Sequence, residues 1–522
     1  MECSLATLKN IYDRCAEYVR YLNENGWLAQ REAVSKFWAE ILQERRNYPG
    51  FDDMLVMRRG ATYPLADRGA AAASNPHSEW QHARAAYAVV TQSVPDTYFQ
   101  GLNESAIGCP LSVDFKGQRF SAGAITNALT SYRILEWCTS TGLVNRPLRV
   151  LEIGAGYGQV AYQLFQQLKI ASYTVCDLPE NLFLSAFYLQ GNFPDKKAVF
   201  VKESDLLGDK SAELVFLVPP FLNRLPGPFD VVINSYSFQE MNLQSIEEYF
   251  AFVEATLATD GLFYSLNAHR KAGAAWPSDY PFEKFRLISL LPVRKYPFQV
   301  FATNPYEVVM TKLSGALPSS EARARSKRDF DALGGAMQLG LHDDLLELCR
   351  KFSRQQLDTS EGAWLDALCD FLHSSDRARK RELVKAMRLS GILPTVTAYL
   401  AGSLEFAVGS GHEARTLLED AAANFPDCHA RARSYLMLAC LCHQSGDRSP
   451  GDGHYTQAKR LVPHLEPEMS QLVSDYSALA GRVADQLGVK LPHAVAPARS
   501  FLTRIRGTLV RARRWANRAK IP

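Results

Sequence analysis

The stretch "LRVLEIGAGYGQVAYQLFQQL", residues 148–168, decides the fold. It opens on RVLEIG, a short apolar run of the kind that forms a strand buried on both faces. It then turns through Gly154, Gly156 and Gly158 and continues as QVAYQLFQQL, with apolar residues at helical spacing. Glycine admits positive φ and lets a backbone approach a ligand closely, and the following helix presents its N-terminal amides. Strand, glycine turn and helix in this order predict a nucleotide-type ligand at the turn.

The spacing narrows the ligand. In the dinucleotide fingerprint G-x-G-x-x-G the third glycine would fall at 159, where Gln stands. The order here is E-x-G-x-G-x-G, with the acid at Glu152, which is similar to the turn of class I methyltransferases that use S-adenosylmethionine. That donor has no pyrophosphate. Its amino-acid end is zwitterionic, so an acid beside the turn is useful as well as the amides. Asp177 closes "YTVCD", nineteen residues after Gly158. A carboxylate at the end of the second strand can accept hydrogen bonds from both ribose hydroxyls. Glu152, Gly154, Gly156, Gly158 and Asp177 are therefore the expected cofactor-binding residues.

Around this turn the chain alternates strand and helix. SYTVCDLP, FDVVINS, GLFYSLN and PYEVVMTKL read as strands; NLFLSAFYLQG and SIEEYFAFVEATL read as helices. The third strand is either KAVFV or ELVFLV. The alternation predicts an α/β domain over 146–314 with a parallel, Rossmann-like sheet covered on both faces. Substrates of such sheets lie outside the carboxyl ends of the strands. NSYSFQEM, residues 234–241, is thus expected at the acceptor side: Asn234, Ser235 and Gln239 as substrate contacts, Glu240 as base or sugar-hydroxyl acceptor. His269, followed by Arg270, ends the next strand and is a second candidate base, since imidazole titrates near neutrality.

Before the sheet, 1–145 reads as a helical cap and substrate region. Its first helix carries Leu5, Leu8, Ile11, Tyr12, Cys15, Val19 and Leu22, and VDFKGQRF reads as a hairpin around Lys116–Gly117. After a linker near 314–326, residues 326–487 read as helix after helix. Two segments end at Pro426 and Pro463, each helix, Gly-containing turn, helix, with DRSPGD as an inserted turn in the second. This predicts an all-α, tetratricopeptide-like repeat domain.

The first 315 or so residues resemble the bacterial sugar O-methyltransferases. The resemblance rests on SKFWAEIL near the start, LNESAIGCP at 102–110, VLEIGAGYGQVAYQL with VCDLPENLFLSAFYL, and NSYSFQEM. It implies a class I methyltransferase sheet, S-adenosylmethionine as cofactor and a sugar hydroxyl in a glycan or its precursor as acceptor. It also implies Glu240 at the acceptor face, with Glu104 as a further candidate there.

Composition sets the remaining bounds. The 522 residues are 47% hydrophobic and 22% charged, with no apolar run long enough to span a bilayer and no signal-peptide pattern at the start. Ten scattered cysteines without a CxxC pair predict reduced thiols, and no metal site is expected. Residues 499–522 carry eight cations and no acid, so the rest of a chain of net charge +3 sums to −5. Such a body is a poor polyanion binder, and nucleic acid is not an expected partner. The tail RSFLTRIRGTLVRARRWANRAK reads as a basic amphipathic helix suited to an anionic membrane surface. The expectation is a cytoplasmic protein, peripheral at the inner face of the membrane through this tail, with the helical repeats offering a protein partner. Two other readings remain open: a methyltransferase of another small-molecule, protein or RNA acceptor, and a repeat scaffold carrying an inactive methyltransferase-like domain.

Overall fold

The computed structural model describes residues 3–26, 49–58, 83–202 (apart from 85, 92 and 116), 211–267, 279–293, 305–315, 349 and 359–461 (apart from 375, 409–410 and 426–427). The chain divides into two compact units, Met1–Ser374 and Ser375–Pro522.

In the first unit, helix α1 (Leu5–Glu24) is capped by Ser4, whose hydroxyl accepts from the Thr7 amide at 3.1 Å. The hairpin is present, β1 (Val113–Phe115) against β2 (Gln118–Phe120). Then come α2 (Ala122–Ser140), β3 (Leu148–Ile153), α3 (Gln159–Gln167), β4 (Ile170–Cys176), α4 (Pro179–Asn192), β5 (Ala198–Phe200), β6 (Leu214–Leu217), β7 (Phe229–Ser235), α5 (Leu243–Thr256), β8 (Leu257–Asn267), β9 (Phe285–Pro292), β10 (Tyr306–Lys312) and α6 (Thr359–His373). Pro179 opens α4 at a position where its missing N–H costs nothing.

Strands β3 to β10 form one sheet in the order β5-β6-β4-β3-β7-β8-β10-β9. All neighbouring pairs are parallel except those of β10, which runs antiparallel to both β8 and β9. This is the largely parallel, Rossmann-like sheet that the sequence predicts. The chain winds outward from β3 through β4 to β6, then returns to the other side of β3 at β7. The switch point therefore lies between β3 and β7, and ligands of such sheets bind at its carboxyl end.

Helix α1 turns Leu8, Ile11, Cys15, Tyr18, Val19 and Leu22 inward and packs on α4. Its Tyr18 hydroxyl donates to the Val201 carbonyl at 2.6 Å, beside edge strand β5. The expected face is borne out except that Leu5 is exposed and Tyr12 only half-buried. Helix α2 packs on α3, and the two are joined by Gln163, which donates to the Ala124 carbonyl at 2.8 Å and accepts from Ser131 at 2.7 Å.

Three details differ from the sequence expectation. Both candidates for the third strand form: ELVFLV gives β6 next to β4, and KAVFV gives β5 at the edge. Strand β9 was not anticipated, because FRLISLLP is a near-continuous apolar run with no period of its own; only its pairing with β10 makes it a strand. The DRSPGD segment is no turn insertion, since a helix begins at Arg448. Pro450 falls in its first turn, where amides lack intrahelical partners in any case.

The second unit contains α7 (Arg377–Ser390), α8 (Pro394–Val408), α9 (Gly411–Asn424), α10 (Cys428–Ser445) and α11 (Arg448–Leu461). Each packs on the next, and α8 also touches α10. The α8–α9 approach is close at Gly402, where a Cβ would lie 2.9 Å from Leu418 Cγ. The boundary at 374–375 leaves α6 with the first unit. The amphipathic tail, 499–522, lies outside the described residues.

One buried ion pair fastens the reversed strand. Arg133 of α2 forks onto Glu307 of β10, its Nε 2.9 Å from Oε2, and Tyr264 of β8 donates to the same oxygen at 2.9 Å. Glu307 is fully buried. Removing one member of a buried pair strands the other charge and costs about 3–5 kcal/mol. Glu307→Gln should therefore lower hydrogen-exchange protection across β8 and β10 by a corresponding free energy. Unchanged protection would show that the pair adds nothing to the sheet.

Candidate functional site

The glycine turn leaves β3 at Ile153. Gly154 has φ +76°, and a Cβ there would meet the Ser237 hydroxyl at 2.2 Å. No other residue fits. Gly156 has φ +59°, and nothing lies within 4 Å of where its Cβ would be, so its face opens onto free space. The turn is a bare backbone surface over the end of the sheet.

Asp177, just past β4, holds this surface in place. The Gly156 amide donates to its Oδ2 at 2.9 Å; the Leu178 amide and the Asn181 side chain donate to its Oδ1 at 2.7 and 3.1 Å. A carboxylate accepts about four hydrogen bonds. Asp177 thus has part of its capacity engaged by the chain and part left for a ligand. Glu152, the last acid on β3, accepts from the Tyr173 hydroxyl at 2.6 Å. Glu240 closes a short 3-10 turn, Phe238–Glu240, beyond β7. All three are buried, with 1% of Glu152, 6% of Asp177 and 4% of Glu240 exposed.

Burial dominates the electrostatics of Glu152 and Asp177. It pushes the Glu152 carboxyl up to about 7, against the Tyr173 hydrogen bond, and the charge of Asp177 adds to the rise. Asp177 is likewise pushed up to about 7 by burial. Hydrogen bonds from Asn181, Leu178 and Gly156 oppose the rise, and the nearby charge of Glu240 adds to it. The expected acids of the turn, the second strand and the fourth strand therefore act on one another at the carboxyl end of the sheet.

The segment after β7 is built differently from the expectation. Asn234 is fully buried and is used as a brace. Its Nδ2 donates to the Ile153 carbonyl at 3.0 Å, and its Oδ1 accepts from Asn267 of β8 at 2.9 Å. Asn267 also accepts the Gln239 amide at 3.3 Å. Ser237 donates to the Ile153 carbonyl at 3.0 Å. Asn234 thus joins the ends of β3, β7 and β8. Ser235 is half-buried at the strand end, whereas Gln239 is buried. Tyr236 takes φ +63°, unusual for an aromatic residue, and its amide donates to the Leu266 carbonyl at 2.7 Å. Strained backbone of this kind concentrates at functional sites.

Glu104 has both oxygens engaged inside the protein. Arg58 and the Ser105 amide donate to Oε1 at 2.8 and 3.1 Å, and the Ser121 amide donates to Oε2 at 2.6 Å. It is the ion-pair partner of Arg58. His269 and Arg270 lie outside the described residues. The sequence reading missed Ser237, Asn267 and Arg58. Ser237 was within a quoted motif, but its fit against Gly154 is purely three-dimensional.

Among the described residues no group of three or more His, Cys, Asp and Glu could hold a metal ion, and no helix is long and apolar enough to cross a membrane. A cavity of about 660 Å³ sits at the amino-terminal ends of β7 and β8, lined by Arg146, Asp230, Asp260 and Lys312 among others. Arg146 donates to both of these aspartates, so the charges there are paired.

No family model matches the chain, and neither does any curated protein. Solved structures similar to it include three methyl-transfer or biosynthetic proteins. Magnesium protoporphyrin IX methyltransferase ChlM from Synechocystis, with bound SAH, is 12% identical over 42% of this chain and 93% of its own, with TM-score 0.27. Mitomycin 7-O-methyltransferase MmcR is 11% identical over 48% of this chain and 73% of its own, with TM-score 0.26. The pyocyanin biosynthetic protein PhzM is 12% identical over 37% of this chain and 58% of its own, with TM-score 0.24. The chain thus spans less than two thirds of PhzM. At such identities a likeness concerns the fold and not the activity.

A pH dependence follows from the burial of Glu152. Its folded-state pKa lies above the unfolded value, so the folded state holds the extra proton between about pH 4.5 and 7. Stability from this group is full at low pH and is lost as pH rises through 7, by about 3 kcal/mol in all. Glu152→Gln cannot titrate. Its melting temperature relative to wild type should rise from pH 5 to pH 8, and a flat difference would show that Glu152 titrates normally.

Proposed function

We propose that the chain is an S-adenosylmethionine-dependent O-methyltransferase acting on a sugar hydroxyl. The observation that carries the donor assignment is the pairing of Asp177 with the Gly156 amide beside open space. A buried carboxylate with remaining acceptor capacity faces a bare glycine turn at the switch point of the sheet. These residues fit the donor. Glu152, Gly154, Gly156 and Gly158 frame its amino-acid end, and Asp177 accepts from its ribose.

When bound, the donor supplies a methyl group already activated on sulfur. The chain has to align an acceptor oxygen in line with that methyl, exclude water and take one proton. The end of β7 supplies the acceptor side. Ser235 contacts the acceptor directly; Asn234 and Gln239 hold the strand end that presents it. Glu240 takes the hydroxyl proton, with His269 the other candidate for this role. The sugar assignment rests on the motifs NSYSFQEM and LNESAIGCP and on the family they resemble. In the same reading the helical unit is a tetratricopeptide-like platform for a protein partner. The tail's eight cations suit an anionic membrane, which a protein working on lipid-linked glycans from the cytoplasmic side would use.

Calorimetric titration with S-adenosylhomocysteine tests the donor. Wild type should bind, and Asp177→Ala should bind at least about ten-fold more weakly, as loss of a charge-assisted hydrogen bond implies. Failure of wild type to bind would remove the assignment. Transfer of a radiolabelled methyl group to sugar nucleotides and glycans tests the acceptor. There Glu240→Gln should lower kcat by about 10²–10⁴-fold if it is the base. Labelling of protein or RNA alone would replace the sugar. Separately, the full chain should sediment with anionic vesicles at low salt and stay in solution once 499–522 is removed; equal behaviour of the two would discard the membrane role.

A further inference from the structure

We propose that Arg58 is a positioning residue for the glycine turn, held in a socket made by residues 104–110 and 121. The inference rests on the reading of that turn as the donor site. Glu104, Ser105, Gly108 and Ser121 all meet this arginine. Its amide donates to the Gly108 carbonyl at 2.9 Å. Gly108 has φ +78°, and a Cβ there would lie 2.9 Å from both Arg58 Cγ and Met57 Cγ, so only glycine lets the stem pass. The guanidinium donates from Nη1 to the Ser105 carbonyl at 3.2 Å, and from Nη2 to Glu104 Oε1 at 2.8 Å and the Ser121 hydroxyl at 2.9 Å. Within LNESAIGCP, Glu104, Ser105 and Gly108 thus hold an arginine.

The held guanidinium faces the turn. Its central carbon lies 5.4 Å from the Tyr157 ring centroid and 5.5 Å from that of Tyr188. Tyr157 stands between Gly156, which opens onto free space, and Gly158, which packs against Leu189. The two rings meet edge to face at 5.2 Å, and both hydroxyls donate to Gln159 Oε1, at 3.1 and 2.9 Å. Gln159 is the first residue of α3. One cation therefore fixes the ring that fixes the turn, and the same ring reaches the start of the helix whose amides face the site. An apolar residue could fill this space without the desolvation cost of a buried ion pair. What the pair adds is direction: a planar, forked cation held at a set distance from the ring faces.

Titration of S-adenosylhomocysteine into wild type, Arg58→Lys, Arg58→Met and Tyr157→Leu, all well below their melting temperatures, tests this. Affinity should fall about ten-fold or more in Arg58→Met and Tyr157→Leu, the scale of a desolvated cation–π contact. Arg58→Lys, which keeps the charge and loses the fork, should fall between. Lowered melting temperature with unchanged affinity in Arg58→Met and Tyr157→Leu would make Arg58 merely structural and overturn the proposal. If Arg58→Met does not fold, Tyr157→Leu decides alone, since it leaves the Arg58–Glu104 pair in place. Absence of binding by wild type is a different failure: it removes the donor reading and this inference together.

Discussion

The hydrogen bond from the Gly156 amide to Asp177 joins the turn after β3 to the end of β4, and the rest of the site is arranged around it. Glycine at 154 and 156 leaves the turn without side chains at those two positions. It is held instead from outside: by Asp177 on one side, by Ser237 against Gly154 on another, and by Tyr157 under the Arg58 guanidinium on a third. Each support comes from a different part of the first unit. The free backbone surface is thus built before any ligand arrives, which reduces the ordering cost of binding.

The distribution of charge follows the same division. Among the described residues, Arg58 and Arg133 form their ion pairs with Glu104 and Glu307 and not with the acids beside the turn. Glu152 and Asp177 are answered by hydrogen bonds from Tyr173, Leu178, Asn181 and Gly156, and among the described residues no arginine or lysine is paired with them. Burial without a cation is what raises both carboxyls. A ligand bringing positive charge to this end of the sheet would supply what the chain withholds. Sulfonium and ammonium groups are of that kind.

The sheet was legible in the sequence because β3, β4, β7 and β8 are short apolar runs closed by polar signals, with helices of clear period between them. Strand β9 was not legible, because an edge strand without alternation looks like any apolar segment. For the site, Glu152, Asp177 and the three glycines could be placed from spacing alone, since strand ends bring them together in any sheet of this type. The roles of Asn234 and Glu104 could not. A polar residue at a strand end can point to a ligand or brace its neighbours, and the choice depends on Asn267, Ile153 and Arg58, which are distant in the chain. Buried polar networks carry no periodic signature in one dimension.

The contact between Gly154 and Ser237 also limits how this protein can change. A Cβ at 154 and the side chain at 237 compete for one volume, so neither position can grow while the other stays as it is. Position 237 lies within the segment expected to meet the acceptor, and natural drift or laboratory selection for a bulkier acceptor would act on that segment first. Such change is free to use Ser235, whose side chain is half-buried at the strand end. At 237 it meets the floor of the donor turn. On the proposed reading the donor and acceptor sides would share a wall there, and acceptor range would widen at 237 only by deforming the glycine turn.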